Sequence, residues 1–570
     1  MKLIVGFLQK KKLFYLFVVI STLIILISNF INLKLYKISD TILNNLKKPL
    51  KSHSSNELIN KYSISNLVVM ENNCDSIWIK FNQYVYFRKN LAFYFYDLKR
   101  FEIYYERHFD HKYNFTFLVE FNDEIIELTN ITRTEMHAHH VYIFDLLSAN
   151  FTSEKINPNT KMSIYIKSLN QTIKIENLII KKFNESNENK EKSLLCSKVY
   201  YFDDKYAKIF EWWIEINRRN GFDKLVFFNN SLPKEFDFLK EKYSNFVDII
   251  QYECIPNFID PNNKSIPFLK SFKDLKTFYN IDPLYYHMHF EYLTQNECFL
   301  TYIDKYIQIA ILDQDETVLQ RKLSKSLHLN YEHIGEDEFK NDQECSSQSL
   351  NIYDYLLQLK ERVKKVKNLD YLKNTTDISY HFLMGLYIKF PLIEQLFAKL
   401  DNFTKTNKVY NNFSFYLEDE NDFNFRGHKG VKFKVLIDSE KAFNYAINLQ
   451  NIFNNSIKPF LVENKNLISE IPETFNRVFF VDGDTTSWMC GKSIHNSKNT
   501  HWVQTHYPDK TDFNNFVWST HELGHVSHFR ESLKDLHERN VSILNFHFDL
   551  NYFLCYLQPI AKTMHTQNLK

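Results

Sequence analysis

Glycine and proline are scarce in this chain of 570 residues, at 9 and 12 respectively. The sequence is instead rich in asparagine, lysine and isoleucine, a compositional bias that favours no functional class. An excess of charge of one sign is also missing, because 70 basic and 68 acidic side chains leave a net charge of +2. No global field therefore points to a nucleic acid or an acidic partner. The length allows more than one domain, and 16% aromatic residues indicate a folded protein.

The cysteines form no C-x-x-C pair, which argues against a structural zinc knuckle. An oxidising compartment would allow a few disulfides with one thiol left over, and the sequence does not reveal their connectivity. The 7 cysteines are Cys74, Cys196, Cys254, Cys298, Cys345, Cys490 and Cys555.

The N-terminal region predicts a membrane anchor. Three lysines at 10–12 precede an uncharged apolar run at 13–31, long enough to span a bilayer. No small-residue cleavage site follows it, and Arg/Ser-rich transit-peptide character is missing. We therefore expect a cytosolic tail (1–12), a transmembrane signal anchor (13–31) and a lumenal body. Such a single-pass type II protein would reside in the Golgi or another secretory-pathway membrane. The sequons that agree with a lumenal body are at Asn114, Asn130, Asn150, Asn170, Asn184, Asn229, Asn263, Asn374, Asn402, Asn412, Asn454 and Asn540.

Changes in pattern divide the rest of the chain. Polar residues 32–62 read as a stem, and alternating strand-like runs at 63–183 predict a β-sandwich-like accessory domain. A charged linker follows, and residues 193–535 and 536–570 read as an α/β domain and a C-terminal helical segment. One histidine-rich group could bind a metal, although a solvated loop is the favoured interpretation. Its members are His108, His111, His137, His139 and His140.

The α/β domain opens with a strand, a helix and a second strand. The run SKVYYF predicts the first strand, and residues 205–220 predict an amphipathic helix with Trp212, Trp213 and Ile216 on one face. Gly221 follows where a helix end favours a left-handed residue, before the strand KLVFFNN. A third strand, VDIIQY, comes next. This βαβ unit indicates a doubly wound sheet with parallel strands.

A later apolar strand ends at a cluster of acids, in the run IQIAILDQDE. Strand residues two apart point the same way, so Asp313 and Asp315 can face one point beyond the sheet edge. Open α/β sheets bind ligands there, and two carboxylates suit a divalent cation that bridges a diphosphate. The alternative is a solvated acidic turn after a buried strand.

Several segments resemble glycosyltransferase family 92, in the order that this family shows. They are EWWIEINRRNGFDKLVFFNN, the Asn296-Glu297-Cys298 element, ILDQDE, CGKSIHN, THYP and GHVSHFRES, between about residues 198 and 532. The resemblance implies a GT-A-like doubly wound mixed sheet in a lumenal type II enzyme. It also implies inverting transfer of a sugar, typically galactose, from a UDP-sugar to a glycan acceptor, with Mn²⁺. The upstream strands resemble an accessory sandwich of some members. The region 323–475 matches poorly, so no site is assigned there.

The chemistry of this family suggests site residues for the present chain. Asp313 and Asp315 would bind the metal with His528, for which His506 is the second choice. Lys492 and Arg530 are candidates to neutralise phosphate oxygens, although each alone is more often an ordinary surface charge. An acid must serve as the general base, and the candidates Asp482, Asp484 and Glu522 cannot be ranked from the sequence, although we take Glu522 and Asp484 forward.

A rival motif lies in the same region. The string His521-Glu522-Leu523-Gly524-His525 is a literal H-E-x-x-H, which on a helix would place two histidines for zinc with Glu522 as general base. Gly524 would weaken that helix, and a zinc peptidase leaves the βαβ unit and the acidic strand unexplained. A zinc metallopeptidase and a non-catalytic lumenal glycan-binding protein therefore stand as alternatives to the transferase.

Overall fold

A computed structural model gives the architecture of most of the chain beyond residue 73. It describes Cys74 and residues 78–568 apart from the gaps 109–112, 123, 129, 139–141, 169–170, 183–189, 198–206, 231–237, 253, 259–267, 270–278, 280–282, 321–350, 368–377, 407–411, 424–428, 473–474, 476, 478, 483–490, 499, 501, 504–507, 510–515, 520–523, 529–539 and 549–551. The fold is mixed α/β and has a large share of sheet.

A series of strands forms a β-sandwich at residues 78–181, and burial alternates along β4 and β8. They are β1 (Trp78–Asn82), β2 (Val85–Phe95), β3 (Arg100–His108), β4 (Thr116–Phe121), β5 (Glu124–Leu128), β6 (Thr132–Ala138), β7 (Tyr142–Asn150), β8 (Met162–Ser168), β9 (Gln171–Ile175) and β10 (Ile179–Lys181). One sheet runs β1-β2-β3-β7-β6 with β10 beside β2, and the other runs β5-β4-β8-β9. Phe87 and Tyr105 of the first sheet pack with Phe117 and Ile164 of the second in one core. The alternation predicted this arrangement because every second side chain points inward.

Strands and helices alternate after residue 190. The elements are β11 (Glu191–Ser197), α1 (Ala207–Arg219), β12 (Lys224–Asn229), α2 (Phe238–Lys242), β13 (Val247–Gln251), β14 (Ile255–Pro256), β15 (Phe268–Leu269), α3 (Pro283–Tyr302), β16 (Tyr306–Leu312) and β17 (Glu316–Gln320). Neighbouring strands pair in parallel in the order β13-β12-β11-β16. A βαβ unit is therefore present, but its first strand is Glu191–Ser197 and not the predicted run SKVYYF, most of which lies outside the described residues. The order of the strands reverses between β11 and β16.

Gly221 closes the turn after α1 in a way that only glycine allows. Its φ is +74°, and a Cβ at this position would come within 2.7 Å of the Cα of Asn351. The positive φ and the close backbone approach explain the glycine that the sequence places there. Trp213 and Ile216 of α1 are fully buried, as the predicted apolar face requires.

The second half of the chain completes the sheet. Its elements are α4 (Ile352–Lys367), β18 (Ser379–Tyr387), α5 (Phe390–Thr406), β19 (Phe413–Phe423), β20 (Lys429–Ile437), α6 (Glu440–Ile452), a π-helical turn (Phe453–Ile457), α7 (Lys458–Glu463), α8 (Lys465–Glu470), β21 (Phe479–Asp482), β22 (Gly491–Asn496), β23 (Trp502–Val503), β24 (Pro508–Asp509), β25 (Phe516–Ser519), β26 (Gly524–His528), β27 (Asn540–Ser542), a 3-10 turn (Ile543–Asn545), β28 (Phe546–Phe548), a π-helical turn (Tyr552–Leu557) and α9 (Gln558–Asn568). The sheet continues from β16 through β22, β18 and β21 to β28.

Strand β18 links two parts of this sheet. Its first half pairs with β22 and β25, and its second half pairs with β21 and with β26, which in turn pairs with β17. The region 323–475, for which the sequence offered no assignment, thus supplies a central strand. The segment 536–570 is less helical than predicted, because β27 and β28 precede its helix.

The outer face of the first sandwich sheet packs against the α/β part. Trp78, Tyr86 and Phe93 share one apolar cluster with Val226 and Phe299. The disulfide Cys74–Cys254 joins the same two parts, and Cys196–Cys298 joins β11 to α3. Both faces of the sheet around β3 are therefore buried, which is why its burial pattern does not alternate.

A buried ion pair lies at this contact. Arg88 of β2 pairs with Glu297 of α3, and its guanidinium lies 5.0 Å from the ring centroid of Trp78 and 4.9 Å from that of Tyr252. Burial lowers the pKa of Arg88, but the charges of Glu297, Tyr252 and Glu106 and the hydrogen bond to Glu297 together outweigh this effect, so the net direction is upward. We call Trp78, Arg88, Tyr252 and Glu297 the arginine cage.

Glu106 of β3 is buried next to the arginine cage. No hydrogen-bond partner of its carboxylate oxygens is found among the described residues. Burial raises the pKa of Glu106 to about 8, while the charge of Arg88 opposes the rise and that of Glu297 adds to it. Burial also raises the pKa of Tyr252, and the charge of Glu106 adds to this rise. The protonated carboxyl therefore stabilises the fold fully below its ordinary pKa of 4.5, and this contribution is lost as the pH rises through about 8.

Glu106→Gln should abolish this pH dependence. The amide has the size of the protonated acid and does not ionise. At alkaline pH we therefore expect the free energy of unfolding of the variant to exceed that of the wild type by about 3 kcal/mol. Near pH 4.5 the two proteins should agree. Urea unfolding across this pH range measures the effect. Glu124→Gln is the control, because Glu124 is an exposed acid of β5. Parallel pH profiles of wild type and Glu106→Gln would contradict it.

Within the part of the chain that the structure describes, no helix is both long and apolar enough to cross a membrane. Helix α3 has 20 residues, but its sequence is not apolar enough and includes the polar run Gln295-Asn296-Glu297. The described residues therefore do not support the prediction of a single-pass anchor or, with it, the localisation to a Golgi or other secretory-pathway membrane. The segments assigned as tail, anchor and stem, at 1–12, 13–31 and 32–62, lie outside the described residues.

Candidate metal centre

Strand β16 ends at the three predicted acids. Every residue of β16 is buried, because Ile309 and Ile311 enter one core and Ala310 and Leu312 enter the other. Asp313 and Asp315 lie in the turn that follows and not in the strand itself, and Glu316 begins β17. The side chains converge all the same.

Asp313, Asp315 and Glu316 form a carboxylate cluster. One oxygen of each lies within 4.8 Å of the others, a spacing that could hold a metal ion. Asp313 and Glu316 are buried, whereas Asp315 is partly exposed. The sequence identified the two aspartates but did not assign Glu316 to the site, although its spacing in the DQDE run was a signal for it.

Three hydrogen bonds fix the geometry of the cluster. The backbone N–H of Asp313 donates to Glu316 Oε2 over 3.0 Å, and the N–H of Glu316 donates to the carbonyl of Asp313 over 3.0 Å. The indole N–H of Trp213 donates to the carbonyl of Glu316 over 2.7 Å. Helix α1 therefore supports the turn from one side. Trp213 belongs to the segment EWWIEINRRNG, one of those that resemble glycosyltransferase family 92, and this segment helps to position the carboxylates.

The carboxylate cluster lies where an open α/β sheet binds ligands. Ser197 ends β11 directly opposite Leu312, the last residue of β16, so both strands present their carboxyl ends at the same place. The strand order reverses between these two strands. A crevice at such a reversal is the usual ligand site of doubly wound sheets.

Lys492 lies beside the carboxylates. It belongs to β22, which runs antiparallel to β16, and its side chain is only 1% exposed. Its ammonium nitrogen lies 3.2 Å from Glu316 Oε2 and 3.5 Å from Asp313 Oδ2. The structure thus brings Lys492 to the predicted site, in contact with the carboxylates.

His528, the predicted third ligand, ends β26. It occupies the position directly opposite Glu316 in the antiparallel pair β17–β26. Asp482, one of the candidates for the general base, ends β21 opposite Gly385. The remaining predicted site residues, Glu522, Asp484, Arg530 and His506, lie outside the described residues.

The described half of the H-E-x-x-H string is a strand. Gly524–His528 forms β26, in which His525 lies opposite Leu319 of β17. A zinc peptidase motif requires a helix that turns both histidines to one side, and residues 521–523 lie outside the described residues. The observed strand therefore speaks against this use of His525.

His381 of β18 and His495 of β22 are two buried histidines that the sequence did not single out. His381 of β18 and Ser493 of β22 share a hydrogen bond of 2.9 Å between Nδ1 and Oγ. A Cβ at position 491 would clash with this imidazole at 2.0 Å, which explains Gly491. The pKa of His495 is lowered to about 3, mainly by burial and secondly by the charge of the nearby His381. His495 is therefore neutral at ordinary pH and forms part of the packed interior.

The described ligands suit a hard divalent cation. All are carboxylate oxygens, the ligand type that Mn²⁺ and Mg²⁺ prefer. With Lys492 paired to them, the three carboxylates carry a formal charge of −3 + 1 = −2, which one divalent ion neutralises. The set thus fits Mn²⁺ better than zinc, which prefers nitrogen and sulfur ligands.

A separate cavity of about 780 Å³ lies in the β-sandwich and includes none of these residues. Tyr113, Phe115, Glu127 and Arg133 are among its lining residues. Of the histidine-rich group, His108 ends β3 next to Tyr84 and His137 lies in β6, whereas His111, His139 and His140 lie outside the described residues.

No family model matches the chain, and no curated protein matches it. Among solved structures, the amylomaltase from Corynebacterium glutamicum shows 10% sequence identity over 65% of this chain, with a TM-score of 0.13. This match covers 43% of the amylomaltase. So low a TM-score supports no conclusion about fold or activity.

Proposed function

We propose that this chain is a metal-dependent glycosyltransferase, which moves a sugar from a UDP-sugar to a glycan acceptor with inversion. UDP-galactose is the first candidate donor. The observation that carries the proposal is the carboxylate cluster at the end of β16, at the reversal of strand order. The mixed sheet, which begins with parallel strands, supports a GT-A-like fold. The family 92 motifs add support, because several of them meet at this site.

Each part of the cluster has a role in this proposal. Asp313 and Asp315 would hold Mn²⁺, with His528 as a further ligand. The metal supplies positive charge to the departing diphosphate, whose developing charge would otherwise oppose cleavage of the sugar bond. Lys492 adds a second positive charge at the same place. Glu522 or Asp484 would take the proton of the acceptor hydroxyl, which inversion requires.

A donor screen tests the proposal. Purified protein is incubated with UDP-galactose, UDP-glucose, UDP-N-acetylglucosamine and GDP-mannose, with and without Mn²⁺, and the released nucleoside diphosphate is measured. We expect release from one UDP-sugar, dependent on Mn²⁺ and increased by a glycan acceptor. Peptide cleavage with stoichiometric zinc, abolished by Glu522→Gln, would favour the peptidase instead. Glycan binding without release from any donor would favour a non-catalytic binding protein.

A further inference from the structure

Lys492 places a positive charge in the site where the divalent cation would bind. Strand β22 lies between β16 and β18, so hydrogen bonds on both edges fix its backbone. Lys492 lies two residues before Ile494, which is opposite Ala310, and this antiparallel register brings it to the end of β16. Its ammonium contacts Glu316 and Asp313 at 3.2 and 3.5 Å. The lysine therefore belongs to the cluster itself.

Glu316 is largely occupied by groups of the protein. Its Oε2 atom accepts a hydrogen bond from the backbone N–H of Asp313 and pairs with the ammonium of Lys492. Both side chains of this ion pair are only 1% exposed. Water screens such a buried pair weakly, so the ammonium also acts strongly on any cation near Asp313 and Asp315.

We propose that Lys492 is an internal counter-cation of the carboxylate cluster, which couples the binding of the divalent cation to that of the diphosphate. The inference rests on the proposed function and deepens it. Without diphosphate, the ammonium stabilises the cluster and opposes a bare divalent cation. When a diphosphate is present, its negative charges attract the ammonium, and the carboxylates become available to the cation.

This coupling has a thermodynamic consequence. The diphosphate must raise the affinity for the cation, and the cation must raise the affinity for the diphosphate by the same factor. If Lys492 is the source of the coupling, its removal strengthens binding of the bare cation and weakens the effect of the diphosphate. A lysine that only bound phosphate would leave the affinity for the bare cation unchanged.

Lys492→Met tests the inference, because methionine has a similar length and no charge. Mn²⁺ is titrated into purified protein with and without saturating UDP, and free Mn²⁺ is followed by its paramagnetic resonance signal. We expect Lys492→Met to bind Mn²⁺ alone about tenfold more tightly than the wild type does, as the loss of a charge within about 4 Å implies. The enhancement by UDP should fall by a similar factor. Lys242→Met, which breaks the ion pair with Glu211, is the matched control and should behave like the wild type.

Lys492→Met leaves buried carboxylates without their counter-charge and could lose its fold. The double variant Glu316→Gln, Lys492→Met covers that case, because it retains the formal charge of −2 on Asp313 and Asp315. It should bind Mn²⁺ alone at least as tightly as the wild type and show the reduced UDP enhancement.

The outcomes separate the two proposals. If UDP increases the Mn²⁺ affinity of the variants as much as that of the wild type, the proposed role of Lys492 is wrong, whereas the transferase proposal still stands. If the wild type binds neither Mn²⁺ nor UDP, the proposed function itself is wrong.

Discussion

Asp313→Asn and Asp315→Asn are each expected to lower sugar transfer at least about a hundredfold, with the fold retained. Each change removes one anionic ligand from the proposed Mn²⁺ site, and the stabilisation of a leaving diphosphate by a cation is worth several kcal/mol. Both residues lie in the turn after β16, outside the apolar cores, so the substitution leaves the packing intact. Initial rates at saturating Mn²⁺ measure the loss.

Asp248→Asn is the matched control for this prediction. Asp248 is an acid of β13 in the same sheet, and its ion pair with Lys224 is 2.9 Å long with the carboxylate 43% exposed. We expect nearly wild-type transfer from this variant. Unchanged transfer in both aspartate variants, or full activity in a strong chelator, would show that the carboxylate cluster is not the metal site.

The sequence predicted the elements that depend on local pattern. The amphipathic face of α1, Gly221 and the alternation of the sandwich strands each follow from the spacing of side chains along one segment. The approach of Asp313 to Asp315 followed from their positions after an apolar strand, although the structure places both in a turn.

Other features depend on segments distant in sequence, and local pattern cannot reveal them. Lys492 reaches Glu316 only because β22 inserts beside β16 in an antiparallel register. The disulfide Cys74–Cys254 spans 180 residues, and many pairings of the cysteines fit the sequence equally well. Similarly, β18 is central although its surroundings match no motif, because its place in the sheet is fixed by β22 and β26.

The same long-range packing creates the arginine cage, for which we expect the largest effect on stability. Arg88→Met should lower the free energy of unfolding by about 3–5 kcal/mol, because it leaves Glu297 buried without its counter-charge. It also removes the cation from between the rings of Trp78 and Tyr252. Urea unfolding followed by tryptophan fluorescence measures the loss, and Trp78 reports on the cage directly.

A double-mutant cycle with Glu297→Gln separates the ion pair from general loss of packing. When both charges are removed, no unpaired ion remains in the buried contact, so the double variant should be less destabilised than the sum of the single variants. Lys432→Met is the control, because Lys432 and Glu418 form an exposed pair with side chains 51% and 45% accessible. Such a pair contributes about 0–1 kcal/mol. Strictly additive losses at Arg88 and Glu297 would mean that the two charges do not stabilise each other across the contact between the sandwich and the α/β part.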